Sequence, residues 1–350
     1  MSGGINSELA RRVAGLTVRP GPDVTFAEGI HLVADLRNQV GKAFGYVAEI
    51  TGLHDAARKA AKAETRVVDR RGLINSLVGT VDALTSEVWA EDNPSWIARQ
   101  TASAQLGALT GVLAYRVLGH YDPFYAPAPR DGADQGRIVL VAPNVLRFER
   151  ELDADPRDFH LWVALHEVTH AVQFAAAPWL APWLRERFEA LMDAEDEPGG
   201  PNQMLAAIRK LPDLFADEAP PATVSYLLSP EQSRILAELV ATMSLLEGHA
   251  DVIMDAVGPK VVKTLEQLRP RFEARRVARG RWERAVRRLA GIEAKTAQYV
   301  QGAAFVRAGL AALGHEGFNA VFESPEALPT AAEIDDPSAW VRRVGPGHGI

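Results

Sequence analysis

The chain has 350 residues, of which 47% are hydrophobic and 24% are charged, with no cysteine and a formal net charge of −7. This length is enough to bury the core of one large domain or of two. The lack of cysteine excludes a disulfide framework and a thiolate metal site, so any metal ion must be held by histidine and carboxylate groups.

The composition also indicates the compartment and the partners. The N-terminal residues, MSGGINSELARRVAGL, lack the apolar run and the small-residue cleavage site of a secretory signal. No later apolar run reaches the roughly 18 residues that cross a membrane. Arginines are scattered and form no basic patch interleaved with aromatic residues. We expect a cytoplasmic protein that binds neither a membrane nor nucleic acid.

The N-terminal third predicts helices after an irregular start. Residues 1–25 contain Pro20, Gly21 and Pro22 and predict a loosely ordered arm. Apolar residues then recur at helical spacing across 30–40 and 73–88, and the stretch 103–118 is apolar on nearly every side. We expect an N-terminal helical region over 26–135 that includes a buried helix.

Glycines and prolines between 119 and 132 predict irregular structure, and a short β-branched run then predicts a strand at 138–141. Helices are predicted at 183–192, 202–210 and 281–313, and a tail follows over 324–350 that Trp340 holds down. The metal-binding region is expected over 136–323. The predicted fold class is mainly α with a small β element.

The stretch FHLWVALHEVTHAVQF predicts the chemistry. Asp155 is a good N-cap and Pro156 suits the first helical position, so a helix begins there and ends before Pro178. His166 and His170 lie four residues apart and project from one helix face, as a shared metal requires. The alternative is a chance match, but a helix this apolar is buried, and its charged group must then face a cavity or a metal.

A zinc hydrolase needs three protein ligands, an open position for water and a base. His166 and His170 are predicted as two ligands of Zn²⁺, with Glu167 as the general base and later the acid toward the leaving group.

The third ligand is predicted on a second helix, which begins at Ser229 as the N-cap and runs to about residue 256. Glu247 and Asp251 share one face of it, so Glu247 can bind zinc while Asp251 orients a ligand histidine. The alternative is a solvated acidic face. His249 is the main rival as third ligand, but it points about 200° around the helix from Glu247, so we do not expect both to bind the same ion. A hydrogen-bonding or substrate-side role is also open to it.

A developing oxyanion needs a donor besides the metal. Tyr299 and His315 are the candidates, with Tyr121 as another, although each is more often a packed or surface residue. His160 is predicted to be structural.

Five segments together resemble the zincin-like metallopeptidase type 2 family: GHYDPF, VAPNV, LWVALHEVTHAVQFAAAPWL, LLEGHADVIMDAVG and KTAQYVQGAAFV. It is a bacterial group of zinc-dependent peptidases, some labelled as associated with biosynthesis of a deazaflavin coenzyme. The resemblance covers about residues 67–340. It implies a helical zincin-like fold, with His166, Glu167 and His170 matching the active-site motif. In zincins a strand beside the metal helix can pair with a peptide substrate, which gives the predicted strand at 138–141 this role.

The second helix also resembles that of thermolysin-type gluzincins, in which a glutamate completes the site and a carboxylate one turn later supports the first histidine. This implies roles for Glu247 and Asp251, with His166 as the supported ligand. The match is narrower, because Leu246 precedes Glu247 where that group has asparagine, and the distance from His170 is longer.

We therefore predict a zinc metallopeptidase that cleaves a peptide or small amide substrate. The alternatives are a non-catalytic zinc scaffold and a hydrolase of small non-peptide substrates.

Overall fold

The computed structural model describes residues 5–92, 95–125, 136–192, 229–276 and 302–345. Within them the protein is mainly helical with a small three-stranded sheet, which confirms the predicted fold class. The predicted helix at 202–210 and most of that at 281–313 lie outside the described residues. No described helix has both the length and the apolar character needed to cross a bilayer.

The first eight described helices are α1 (Ser7–Thr17), α2 (Phe26–Thr51), α3 (His54–Ala60), α4 (Arg70–Asp92), α5 (Trp96–Leu113), α6 (Ala142–Leu152), α7 (Pro156–Ala176) and α8 (Leu180–Met192). The remaining described helices are α9 (Pro230–Ala256), α10 (Leu265–Arg276), α11 (Gly302–Phe318), α12 (Ala331–Asp335) and α13 (Pro337–Val344), with short 3-10 turns at Asn319–Phe322 and Pro325–Ala327. The strands are β1 (Glu64–Val68), β2 (Gly119–Asp122) and β3 (Arg137–Val141).

The chain forms two compact units. The first contains Met1–Ala181 and Ala250–Pro270, and the second contains Pro182–His249 and Arg271–Ile350. Helix α9 is continuous through this division, and its last turns belong to the first unit.

The sheet of the first unit has the order β1-β3-β2. Strand β3 pairs in parallel with β1 and antiparallel with β2, and all five of its residues are buried. The predicted strand at 138–141 is thus confirmed. The expectation that it pairs with a substrate is wrong, because both of its edges are already hydrogen-bonded within the sheet.

The prediction that residues 119–132 are irregular is wrong for its first four. Gly119–Asp122 form strand β2, with Gly119 opposite Leu140 and Asp122 opposite Arg137. The strand ends where the prolines begin, because Pro123 has no N–H to give to a ladder. Helix α5 correspondingly stops at Leu113 instead of continuing to 118, and Leu118 O accepts a hydrogen bond from Val141 N at 2.8 Å.

The predicted arm over 1–25 instead contains helix α1, which Asn6 caps by accepting from Leu9 N at 3.0 Å. Its buried face consists of Ala10 and Ala14. These pack against glycines of α5 so closely that a Cβ on Gly107 would lie 2.4 Å from Ala10 O. Alanine gives little hydrophobic periodicity, which is why the helix is missed in the sequence.

Each unit has its own aromatic core. In the first, α7 is buried from Asp158 through Gln173 and contributes Phe159 and Trp162. In the second, Trp340 is fully buried against Phe305 and Phe318, and its Nε1 donates to Ala327 O at 2.8 Å. This confirms that Trp340 holds the tail.

Candidate metal centre

Helix α7 presents a buried stripe of side chains at every fourth residue: Asp158, Trp162, His166 and His170. The helix begins as predicted, because Asp155 caps it by accepting from Asp158 N at 3.0 Å. Residues four apart lie one above another on a helix. The two histidines are therefore the last two members of a continuous buried row.

The first three members of this row face partners from the segment 250–270 of the same unit. Thr264 N donates to Asp158 Oδ2 at 2.7 Å, Trp162 Nε1 donates to Asp255 Oδ1 at 3.2 Å, and His166 Nδ1 lies 4.0 Å from Asp251 Oδ1. Since the partner numbers on α9 fall as those on α7 rise, the two helices run antiparallel and match turn by turn.

The Nε2 atoms of His166 and His170 face each other at 3.2 Å. His170 Nδ1 lies 2.9 Å from Gln173 Oε1, an amide oxygen that can only accept, so the hydrogen of His170 is on Nδ1. The Asp251 carboxylate favours the same tautomer in His166. Both Nε2 atoms then present lone pairs to each other, an arrangement that a shared cation stabilises.

The geometry fits zinc. Two nitrogens bound to one tetrahedral zinc at about 2.0–2.1 Å are held about 3.3 Å apart, close to the separation of the two Nε2 atoms. A carboxylate is within reach as well, since ligand atoms of His166, His170 and Glu247 all lie within 4.8 Å of one another. Two imidazoles and one carboxylate are a common ligand set for catalytic zinc.

Glu247 is half-buried on α9, one turn before Asp251. The helix begins as predicted, with Ser229 Oγ accepting from Gln232 N at 3.1 Å and Gln232 Oε1 accepting from Ser229 N at 3.0 Å. The structure thus brings the three predicted ligands together, and their roles as ligands remain predictions.

Glu167 follows His166 and is buried, with 5% of its surface exposed. Strand β2 lies directly against it: a Cβ on Gly119 would come within 2.7 Å of Glu167 Oε1. Only glycine leaves room there for the carboxylate in its observed position. Strand β2 therefore lies beside the predicted base, and the predicted strand, β3, also contacts helix α7.

The catalytic roles predicted for three further residues stay predictions. Tyr299 lies outside the described residues. His315 is half-buried on α11, where burial lowers the pKa of its imidazole, and its catalytic role stays a prediction. Tyr121 is buried on β2 and packs against Phe174, with ring centroids 5.4 Å apart.

Two further histidines considered in the sequence, His249 and His160, lie in buried, well-packed surroundings. His249 is buried in the second unit and stacks on Phe318 at 5.8 Å, which gives it a packing role; a role beside the metal stays a prediction. His160 is held between two carboxylates, with Nδ1 2.6 Å from Asp35 Oδ2 and Nε2 2.7 Å from Glu149 Oε2. Burial opposes its charge, but the two hydrogen bonds outweigh burial and raise the pKa of His160.

Three residues of the site were missed in the sequence. Gln173 lies one turn after His170, so helical spacing alone could have identified it. Gly119 and Arg269 are far from the motif in sequence, and only folding brings them to it. Arg269 NH2 lies 3.9 Å from Asp251 Oδ2.

The sequence pattern of a family described as zincin-like metallopeptidase matches residues 5–341. A crystal structure from Chloroflexus aurantiacus, described as that of a provisionally assigned hydrolase with a novel fold, superposes with a TM-score of 0.67. The two chains are 28% identical, and the alignment covers 97% of this chain and 98% of that one. No curated protein matches the sequence.

Proposed function

Because the chain belongs to the zincin-like metallopeptidase family, we propose that it is a zinc-dependent hydrolase that cleaves peptide or other amide bonds. His166, His170 and Glu247 would hold the metal. Glu167 would act as the general base.

The observation that carries this proposal is the arrangement of the two imidazoles. Their Nε2 atoms face each other at 3.2 Å, and His170 Nδ1 donates its hydrogen to Gln173. A histidine pair with a packing role alone would place a hydrogen between the two nitrogens. With a carboxylate of Glu247 in reach, the set has three protein donors and leaves a tetrahedral ion one position for water.

Zinc bound there would supply Lewis acidity, which polarises a carbonyl group and lowers the pKa of water. The buried carboxylate of Glu167 takes the proton from the attacking water and passes it to the leaving nitrogen. Gly119 fixes where that carboxylate lies. The Asp251 carboxylate lies 4.0 Å from His166 Nδ1, which favours the hydrogen on Nδ1 and so keeps Nε2 turned toward the metal.

A peptide or amide substrate is favoured by the family description and by the extended backbone of β2 beside Glu167. Carbonyl substrates with a nitrogen leaving group also need the acid step that Glu167 can supply.

The decisive experiment combines metal analysis with Glu167→Gln. We expect about one zinc per chain in the wild type and in the variant, because Glu167 is not a ligand. Cleavage of a peptide library should depend on zinc in the wild type and be lost in the variant. The matched control is Glu49→Gln, an exposed glutamate of α2, which should retain full turnover.

Other outcomes of this experiment would change the proposed function or refute it. Zinc bound by four protein ligands without turnover would indicate a structural scaffold. Zinc-dependent turnover of small amides but not of peptides would keep the hydrolase and change the substrate. A wild type that binds no zinc would refute the proposal.

A further inference from the structure

We infer that Arg269 is a positioning residue for the metal site, acting on His166 through Asp251. The inference rests on the proposed function, because it concerns how tightly the site would hold zinc. It goes beyond the ligands and the base by assigning a role to an arginine outside both motifs.

The contacts form a continuous chain. His166 Nδ1 lies 4.0 Å from Asp251 Oδ1, and the other oxygen, Oδ2, lies 3.9 Å from Arg269 NH2. Arg269 NH1 in turn lies 3.1 Å from Asp255 Oδ2, while Asp255 Oδ1 accepts from Trp162 Nε1 at 3.2 Å. Each carboxylate thus uses one oxygen for α7 and the other for the guanidinium.

Charge explains why an arginine is needed at this point. Asp251 and Asp255 lie one turn apart on α9 and repel each other, and Asp251 is only 3% exposed. A buried carboxylate without a compensating cation is costly. The planar guanidinium presents two nitrogens to two carboxylates, which the point charge of lysine does less well.

The helix that carries Arg269 is anchored at its start. Helix α10 starts just after Thr264, whose N and Oγ1 both donate to Asp158 Oδ2, at 2.7 and 2.9 Å. Asp158 is two turns before His166 on α7. The helix that carries Arg269 is therefore anchored to the same face of α7 that carries the histidines.

The test is the zinc dissociation constant of Arg269→Met, measured by competition with a chromogenic chelator. Without the guanidinium, Asp251 turns away from Asp255 and His166 loses its fixed orientation, so zinc should bind about tenfold more weakly. Arg269→Lys keeps the charge and should recover part of the affinity. The matched control is Arg271→Met, an exposed arginine of the same helix, which should bind zinc like the wild type.

Melting of the zinc-free proteins separates folding from metal binding. If Arg269→Met does not fold, Asp255→Asn gives the same information, because it removes the carboxylate that holds the guanidinium and keeps an oxygen for Trp162. We expect zinc to bind more weakly to it as well.

The outcomes are distinct. Unchanged zinc affinity in folded Arg269→Met or Asp255→Asn would overturn the inference and leave the proposed function intact. Tighter zinc binding would also overturn it, since it would mean that Arg269 acts only as a cation that repels the metal. A wild type without zinc would remove the proposed function and this inference together.

Discussion

Gly119 lies directly against the side chain of Glu167, and a Cβ at this position would come within 2.6 Å of Glu167 Cγ and 2.7 Å of Oε1. The atoms it would meet belong to a flexible side chain, so the chain can relieve the clash by moving the carboxylate. Displacement of the general base should lower the catalytic rate more than it lowers the stability of the fold.

We therefore predict that Gly119→Ala lowers kcat about a hundredfold while zinc content stays at the wild-type level. The melting temperature should change little. The matched control is Gly45→Ala on α2, where a Cβ would meet nothing within 4 Å. Full activity in Gly119→Ala would show that the position of Glu167 does not limit turnover.

Glu247 provides a test of the ligand set that does not depend on turnover. Replacing it with glutamine keeps its shape and removes the charge that a dication favours, so we expect zinc affinity to fall by about tenfold or more. Glu238→Gln is the matched control, a half-buried glutamate on the same helix that pairs with Arg234. Equal zinc affinity in both variants would exclude Glu247 as a ligand.

The local part of the site could be predicted from the sequence, because helical spacing and caps are local properties. Asp155, Ser229 and the HEVTH spacing fix where α7 and α9 begin and which face carries the histidines. Helical periodicity alone similarly predicts that Glu247 and Asp251 lie one turn apart on the same face of α9.

The remaining features depend on contacts that are distant in sequence. Nothing near Gly119 indicates that its strand will lie against Glu167, since β2 forms only when β3 supplies its hydrogen bonds. Arg269 belongs to a helix whose sequence is strongly polar, and its role arises only when Thr264 anchors that helix on Asp158. Helix α1 was missed because its packing depends on alanine and glycine backbones, which carry little hydropathy signal.

The second unit contains a comparable close approach. A Cβ on Gly302 would lie 1.8 Å from Ser244 O, and one on Gly248 would lie 2.1 Å from Gly302 C. Helices α9 and α11 therefore touch through their backbones, next to Glu247 in sequence. Backbone atoms cannot turn aside, so an added methyl must push the helices apart.

We predict that Gly302→Ala destabilises the protein by about 2 kcal/mol and weakens zinc binding, because α9 moves together with Glu247. Denaturant unfolding and a zinc titration of the same samples measure the two effects. Gly41→Ala, in open space on α2, is the control. Loss of stability with unchanged zinc affinity would mean that this crossing does not position Glu247.

The contacts of His160 with two carboxylates predict that the stability of the folded protein depends on pH. Burial disfavours its charged form, but hydrogen bonds with Glu149 and Asp35 outweigh this and raise its pKa above the ordinary 6.5. A histidine whose pKa is raised by folding stabilises the folded state fully below the unfolded pKa, and this contribution is lost as pH rises through the folded pKa. The bridge links α2 and α6 to α7, so its loss should loosen the helix that carries the metal motif.

We expect His160→Gln to lower the free energy of unfolding by about 2 kcal/mol at pH 6, since it removes the cation between two carboxylates. The difference from the wild type should shrink as pH rises above 6.5 through the raised pKa. Denaturant unfolding at several pH values, in zinc-free protein, measures it, with the exposed His54→Gln as control. A difference that stays constant with pH would show that His160 is neutral in the folded protein, and that its two contacts are hydrogen bonds without a charge.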